Sequence, residues 1–380
     1  MSTDIPLSLY VHIPWCVKKC PYCDFNSHEK NSAFDEHAYV DALLRDLDTE
    51  FAACGSRPLQ SVFFGGGTPS LFSAGAISTV IDNARTLFGF DDIEITMEAN
   101  PGTFEQEKFT AFREAGVNRL SIGIQSFDDA QLKRLGRIHD REQALNAIEM
   151  AKQAGFDNMN LDLMFGLPQQ TVQQAVDDVR IACEAGVPHL SHYQLTIEPN
   201  TYFHKHTPVL PESDQLWDIQ TQCQSVLAEQ GYDQYEISAY SKPGRRCLHN
   251  VNYWQFGDYI GIGAGAHGKI TSDRHGFELR RRWKHRQPQQ YIEQSMVGDA
   301  ISGEQKIEKQ ELVFEFLLNA LRLREGASLA IFEQRSGLPL ENLEQAIKNI
   351  DPALLSLDNG QIAASEKGFL FLNEILQELV

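Results

Sequence analysis

Three cysteines, Cys16, Cys20 and Cys23, stand in C-x₃-C-x₂-C spacing just after a strand-like run that ends at Pro14. Three thiolates so close together can each hold one corner of a [4Fe–4S] cube, whose full cysteine complement needs a fourth. Asp24 and Phe25 follow, so no local cysteine supplies it. One iron is then open to a small molecule that brings its own nitrogen and oxygen donors. The spacing alone leaves two other readings open. His12 and His28 flank the cysteines and would complete a Cys₃His zinc site. Three buried, inert thiols are the plainest reading.

The elements around the cysteines narrow this choice. From residue 5 to about 240, short apolar runs alternate with amphipathic stretches, and Gly and Pro punctuate the joins. The expected strands span residues 7–14, 61–66, 93–101, 119–126, 158–168 and 189–199. The helical stretches between them include AFDEHAYVDALLRDLDTEF, AGAISTVIDNARTLF, TFEQEKFTAFREAG and QAVDDVRIACEAG. Six such units imply a parallel α/β sheet, and six are too few for a closed eight-stranded barrel. A partial (β/α)₆ TIM-like barrel is the expected fold. Its C-terminal strand edge, where parallel α/β proteins gather their chemistry, receives the cysteine loop after strand one and Gly65–Thr68 after strand two. Glu98 and Asn100, Gln125 and Ser126, Asp162, and Gln194 and Thr196 fall at or near the same edge.

Beyond residue 240 the pattern changes. Residues 241–305 are expected to form a connecting segment, of which 241–268 read as loop and short strand and carry an H-N-x-x-Y-W motif at 249–254. Residues 306–380 read as helices followed by a hairpin, LLSLDNGQIAAS, in the order of a small winged-helix-like α+β module. The net charge of −19 argues against non-specific nucleic-acid binding. Seven cysteines, three of them clustered, fit a reducing cytoplasm and not a disulfide framework. No apolar run is long enough to cross a membrane. One basic run, Arg280, Arg281, Arg282, Lys284, His285 and Arg286, reads as a solvated strip, or else as a site for carboxylates such as propionates.

In order along the chain, YVHIPWCVKKCPYCDF, FFGGGTPS, EITMEANP, IGIQSFD, LGRIHD and LDLMFGLP resemble the radical SAM superfamily. More narrowly, they are similar to its branch around the oxygen-independent coproporphyrinogen III oxidases, and the HNVNYW segment points within it to the HemW-type heme chaperones. The resemblance implies that Cys16, Cys20 and Cys23 hold a [4Fe–4S] cluster whose open iron takes S-adenosylmethionine (SAM). It further implies SAM contacts from Tyr10, Tyr22, Gly66, Gly67, Thr68, Glu98, Gln125, Arg137 and Asp162, with Thr196 and Ala266–His267 as weaker candidates. Chemically, an Arg suits the carboxylate of SAM, and Glu or Asp suits its ribose hydroxyls.

Two functions follow from this resemblance. One is radical decarboxylation of a porphyrinogen propionate. The other is carriage of heme to an acceptor protein, membrane-associated or not, with cluster and SAM in support. Decarboxylases of the branch carry a further cysteine two residues after the third ligand, where this chain has Phe25, and a longer segment ahead of the cluster. The expectation is therefore carriage, with His249 as an axial ligand, Tyr253 and Trp254 stacking on the macrocycle, and Cys247 a conceivable ligand beside them.

Overall fold

A computed structural model describes residues 5–30, 34–102, 106–272 and 277–379. The six expected strands all form: β1 (Leu7–Ile13), β2 (Leu59–Gly66), β3 (Glu94–Ala99), β4 (Arg119–Gln125), β5 (Met159–Phe165) and β6 (His189–Gln194). They lie side by side, parallel and in chain order. Helices α1 (Glu36–Cys54), α2 (Ala74–Phe88), α3 (Gln106–Glu114), α4 (Arg141–Gln153), α5 (Val172–Glu184) and α6 (Ser213–Glu229) alternate with them. The expected start of the third helix, residues 103–105, lies outside the described residues. Helices α4 and α5 each begin on a capping box, Asp140 with Gln143 and Thr171 with Gln174, which satisfies end N–H groups locally.

Strand residues alternate between two environments. Leu9, Val11, Val62, Phe64, Ile95, Met97, Leu120, Ile122, Leu161, Leu163 and Leu190 join Leu43, Leu47, Ile77, Ile81, Phe109, Ile148 and Val179 of the helices in one core. The residues between them are Ser8, Tyr10 and His12 on β1, Thr96 and Glu98 on β3, and Ser121, Gly123 and Gln125 on β4. Asn160 and Asp162 on β5 and His189, Ser191 and Tyr193 on β6 continue the series. Because side chains alternate along a strand, this second set shares the sheet's other face. A polar inner face inside a ring of apolar helices is what the sequence pattern encodes.

Residues 241–305 do more than connect. On one side, β8 (Ala239–Ser241) pairs antiparallel with β6, and β7 (Asp233–Glu236), just ahead of this segment, pairs antiparallel with β8. On the other, β9 (Asp258–Ile262) pairs parallel with β1, and β10 (His267–Ser272), β11 (Glu278–Lys284) and β12 (Ile301–Lys306) continue antiparallel to give twelve strands. The stretch read as loop also contains a helix, α7 (Leu248–Trp254). The basic run lies on β11 and just beyond it, and it is not a solvated strip. Lys284 is 1 % exposed, with Nζ 2.5 Å from Asp46 Oδ1 and 2.6 Å from Glu50 Oε1 of α1. Arg280 and Arg282 pair with Glu304, and Arg281 with Glu315.

The C-terminal residues build a second core around Leu312, Phe316, Leu317, Phe332, Leu343, Ile362 and Ile375, joined by Phe256 and Leu279 from the large-sheet region. Its helix α8 (Leu312–Ala320) is followed by β13 (Ala327–Ser328), β14 (Leu355–Asp358) and β15 (Gln361–Ala364) in the order β13-β15-β14. The β14–β15 hairpin turns on Asn359 and Gly360, both at positive φ, as a type I′ turn requires. This is the expected two-stranded wing.

Candidate functional site

Two neighbouring cavities open at the C-terminal edge of the parallel strands. The first, about 270 Å³, is lined by Cys16, Cys20, Tyr22, Cys23, Gly66, Gly67, Glu98, Gln125, Arg137 and Asp162, together with Asn100, Ser121, Gly123 and Tyr193. Ten of the thirteen expected site residues thus meet in one place. Tyr10 lines the second cavity, Thr68 a shallow recess beside Cys20, and His249 neither cavity. Thr196 donates to Glu198 and stays outside both cavities.

The cysteine loop is seated on the Gly65–Thr68 loop. Gly67 N–H donates to Ile13 O at 2.8 Å and Thr68 N–H to Trp15 O at 2.7 Å. A Cβ on Gly67 would stand 2.5 Å from Trp15 O, and one on Gly66, at φ +115°, 2.5 Å from the His12 ring. These glycines therefore let two loops dock as well as leaving the cavity clear. Arg137 donates to Cys20 Sγ at 3.6 Å and to Asn100 Oδ1 and Gly123 O at 2.6 Å each. Its guanidinium is aimed at the middle cysteine of the three.

The donor set fits an iron–sulfur cluster by chemistry. Three part-buried thiols share one cavity, and neither His12 nor His28 lines it. Both His12 ring nitrogens are taken, by the Tyr10 hydroxyl and by Asn26 O at 2.9 Å each. Among the described residues no three His, Cys, Asp or Glu side chains are placed to hold a metal ion. Burial pushes the Cys16 thiol up to about 11 and raises Cys23 as well, so ligation would displace their protons.

Across the cavity stand two buried carboxyls. Glu98 Oε2 accepts from Gly66 N–H at 3.1 Å, and burial, then repulsion from Asp162, pushes its pKa up to about 8. Asp162 accepts from Ser121 Oγ and Asn160 Nδ2 at 2.9 Å each, and burial raises it too. Such a pair calls for a cationic or hydroxyl-bearing ligand. Gln125, held at φ +71°, accepts from the Tyr193 hydroxyl at 2.8 Å. Non-glycine residues seldom adopt that φ, and the pairing of β4 with β5 shifts register just ahead of it. Tyr193 and Ser121 were missed as site residues, although alternation along β4 and β6 placed both on the inner face.

The second cavity, about 600 Å³, is walled by Tyr10, Phe25, Tyr253, Trp254, Phe256 and Tyr259, with Lys269, Arg281 and Arg286 among its charged residues. Phe25, Gly66 and Glu98 line both cavities, so the two adjoin. Ala266 and His267 line this aromatic cavity and not the cysteine one.

His249 is placed behind the aromatic cavity. It is 1 % exposed, with Nδ1 2.9 Å from Ser61 Oγ and Nε2 2.9 Å from the Tyr253 hydroxyl. Both ring nitrogens are engaged, which leaves none to an axial ligand bond in this structure. Its helix starts against a carboxylate from β3: Glu94 accepts from Leu248 and His249 N–H at 3.2 and 3.1 Å. Cys247, 1 % exposed, also donates to Glu94, at 3.5 Å, and burial raises its thiol to about 12. It does not reach the cavity as a ligand.

Known proteins share these features. Residues 10–182 match the family model of the Radical SAM superfamily, and residues 307–371 that of the HemN C-terminal domain. The chain is 48 % identical to heme chaperone HemW of Haemophilus influenzae, over 98 % of this chain and 97 % of that one. It is 47 % identical to the Escherichia coli protein of the same name, with the same coverage, and 33 % identical to that of Bacillus subtilis, over 97 % and 100 %. Among solved structures, the coproporphyrinogen III oxidase HemN of Escherichia coli superposes with a TM-score of 0.83 at 24 % identity, covering 99 % of this chain and 90 % of that one. At that identity the likeness establishes the fold alone.

Proposed function

The chain belongs to the radical SAM superfamily and, within it, to the family of its HemW relatives, and on that premise we propose that it is a heme chaperone that binds heme and passes it to an acceptor protein. The observation that carries this reading is the aromatic cavity of about 600 Å³ beside the cysteine cavity. Its volume is in the range of cofactor sites, roughly 300–1,000 Å³. Flat aromatic walls suit a macrocycle, and Arg281 and Arg286 suit its carboxylates.

Cys16, Cys20 and Cys23 would hold a [4Fe–4S] cluster, and the cavity between them, Glu98 and Asp162 would take SAM. When bound, such a cluster supplies an open iron for SAM and a source of single electrons. The residues of the chain bind and orient. Glu98 would meet the polar groups of SAM and Asp162 its ribose hydroxyls, while Gln125 is braced by Tyr193. Tyr253 and Trp254 wall the heme cavity, and His249 fixes Tyr253 from behind.

Phe25 stands where the branch's decarboxylases carry their additional cysteine, and it is 60 % exposed between the two cavities. The test is anaerobic reconstitution of the cluster, followed by SAM, reductant and coproporphyrinogen III. We expect no vinyl product beyond that of a Cys20→Ala control, and hemin binding by the same preparation. Product above the control would make the chain a decarboxylase.

A further inference from the structure

We propose that His267 supplies the imidazole that ligates heme iron in the aromatic cavity, with Arg281 and Arg286 receiving the propionates. The inference rests on the chaperone reading and names the contacts of that same cavity. Two histidines line the cavity, His12 and His267. His12 has both ring nitrogens engaged. His267 is exposed, and among the described residues its ring has no hydrogen-bond partner, its neighbour being the Trp283 ring at a centroid distance of 6.4 Å. It is therefore the one of the two with a nitrogen to offer. A neutral imidazole is the commonest protein ligand to a metal, heme iron included.

The backbone beneath His267 is fixed. A Cβ on Gly261 of β9 would stand 2.0 Å from His267 O, so only glycine lets the two strands approach this closely. Asn26, three residues after the last cysteine, donates through Nδ2 to Ala264 O at 2.9 Å and to Arg286 O at 2.8 Å. One side chain from the cysteine loop thus holds both the turn that leads into His267 and the residue that carries one arginine. A site needs such support if its ligand is to be presented in one geometry.

The arginines are placed for carboxylates. Arg286 is exposed at the cavity and forms no ion pair among the described residues. Arg281 pairs with Glu315 through Nη2, and its Nε is buried without a hydrogen-bond partner. Aromatic walls, one unpartnered imidazole and two guanidinium groups match a flat metallated ligand with two carboxylates.

The experiment is hemin titration of the full chain, followed by absorption and electron paramagnetic resonance spectra. The wild type should show a histidine-ligated spectrum. His267→Ala, at an exposed position, should lose that spectrum and bind hemin about 10–100-fold more weakly. Added free imidazole should restore the spectrum, which no merely structural loss would allow. An Arg281→Gln/Arg286→Gln pair should weaken hemin about tenfold while keeping the spectrum, and should make no difference to the dimethyl ester of hemin. A spectrum unchanged in His267→Ala, or abolished instead in Tyr259→Phe, overturns the assignment while leaving the chaperone reading standing. A wild-type chain that binds no hemin overturns both.

Discussion

Glu98 is charged with difficulty because it is buried and faces Asp162, and its pKa of about 8 against an ordinary 4.5 has a consequence for stability. Between those two values the folded chain keeps a proton that the unfolded chain has released. Folding stability therefore falls as pH rises from about 4.5 to about 8, by up to about 1.4 kcal/mol per unit. Glu98→Gln should flatten that slope, which urea midpoints at pH 5 and pH 8 would measure; an unchanged slope would assign the proton elsewhere. His249 makes a second residue-level prediction. Its removal leaves the Tyr253 hydroxyl without its partner and Ser61 Oγ with Ser8 alone, so His249→Ala should cost about 2 kcal/mol in chemical denaturation. The sequence pointed to His249 and to Tyr253 within its motif, but not to Ser61 as the other partner of the ring, because Ser61 lies 188 residues away in sequence. Glu98, Asp162 and Gln125 were legible, since each sits at or near a strand end in a run whose alternation shows which face is polar.

The elements explain which local features were readable. Strands β1 to β6 announced themselves because one face of each packs apolar residues against the helices, and the polar residues that alternate with them marked the inner face. Helix α7 did not. It has only seven residues, and the carboxylate at its N-terminus is Glu94, more than 150 residues earlier, in place of a local capping side chain. Strands β9 to β12 were hidden likewise, since their rank beside β1 is set by tertiary pairing. Docking of the Gly65–Thr68 loop under the cysteines gives a direct test. Gly67→Ala would press a methyl on Trp15 O, so either loop must shift, at about 1–3 kcal/mol. The variant should lose thermal stability and retain less iron after reconstitution, read by melting and by iron content. Full iron retention would show that the two loops are not coupled. Asn26→Ala should weaken hemin binding and leave the iron content unchanged, because its partners are backbone atoms beside the aromatic cavity.

Across the whole molecule, two cavities share the wall of Phe25, Gly66 and Glu98, and the C-terminal module adds Asn319 to the larger one. That contact gives the module a share in the cavity wall, and a core that includes Phe256 and Leu279 joins it to the large-sheet region. The existence and wing of this module could be read from residues 306–380, but not its share in the cavity, which arises only when α8 packs against the large sheet region. No helix among the described residues is long and apolar enough to cross a membrane. Carriage makes a kinetic demand that mere binding does not: heme must leave by handover. The most direct test is to load the full chain with hemin, mix it with increasing concentrations of an apo-heme protein, and follow the Soret change by stopped flow. Heme carriage predicts one hemin retained per chain and a transfer rate that climbs with acceptor concentration. No hemin retained, or a rate indifferent to the acceptor because heme simply dissociates into solution, would contradict it.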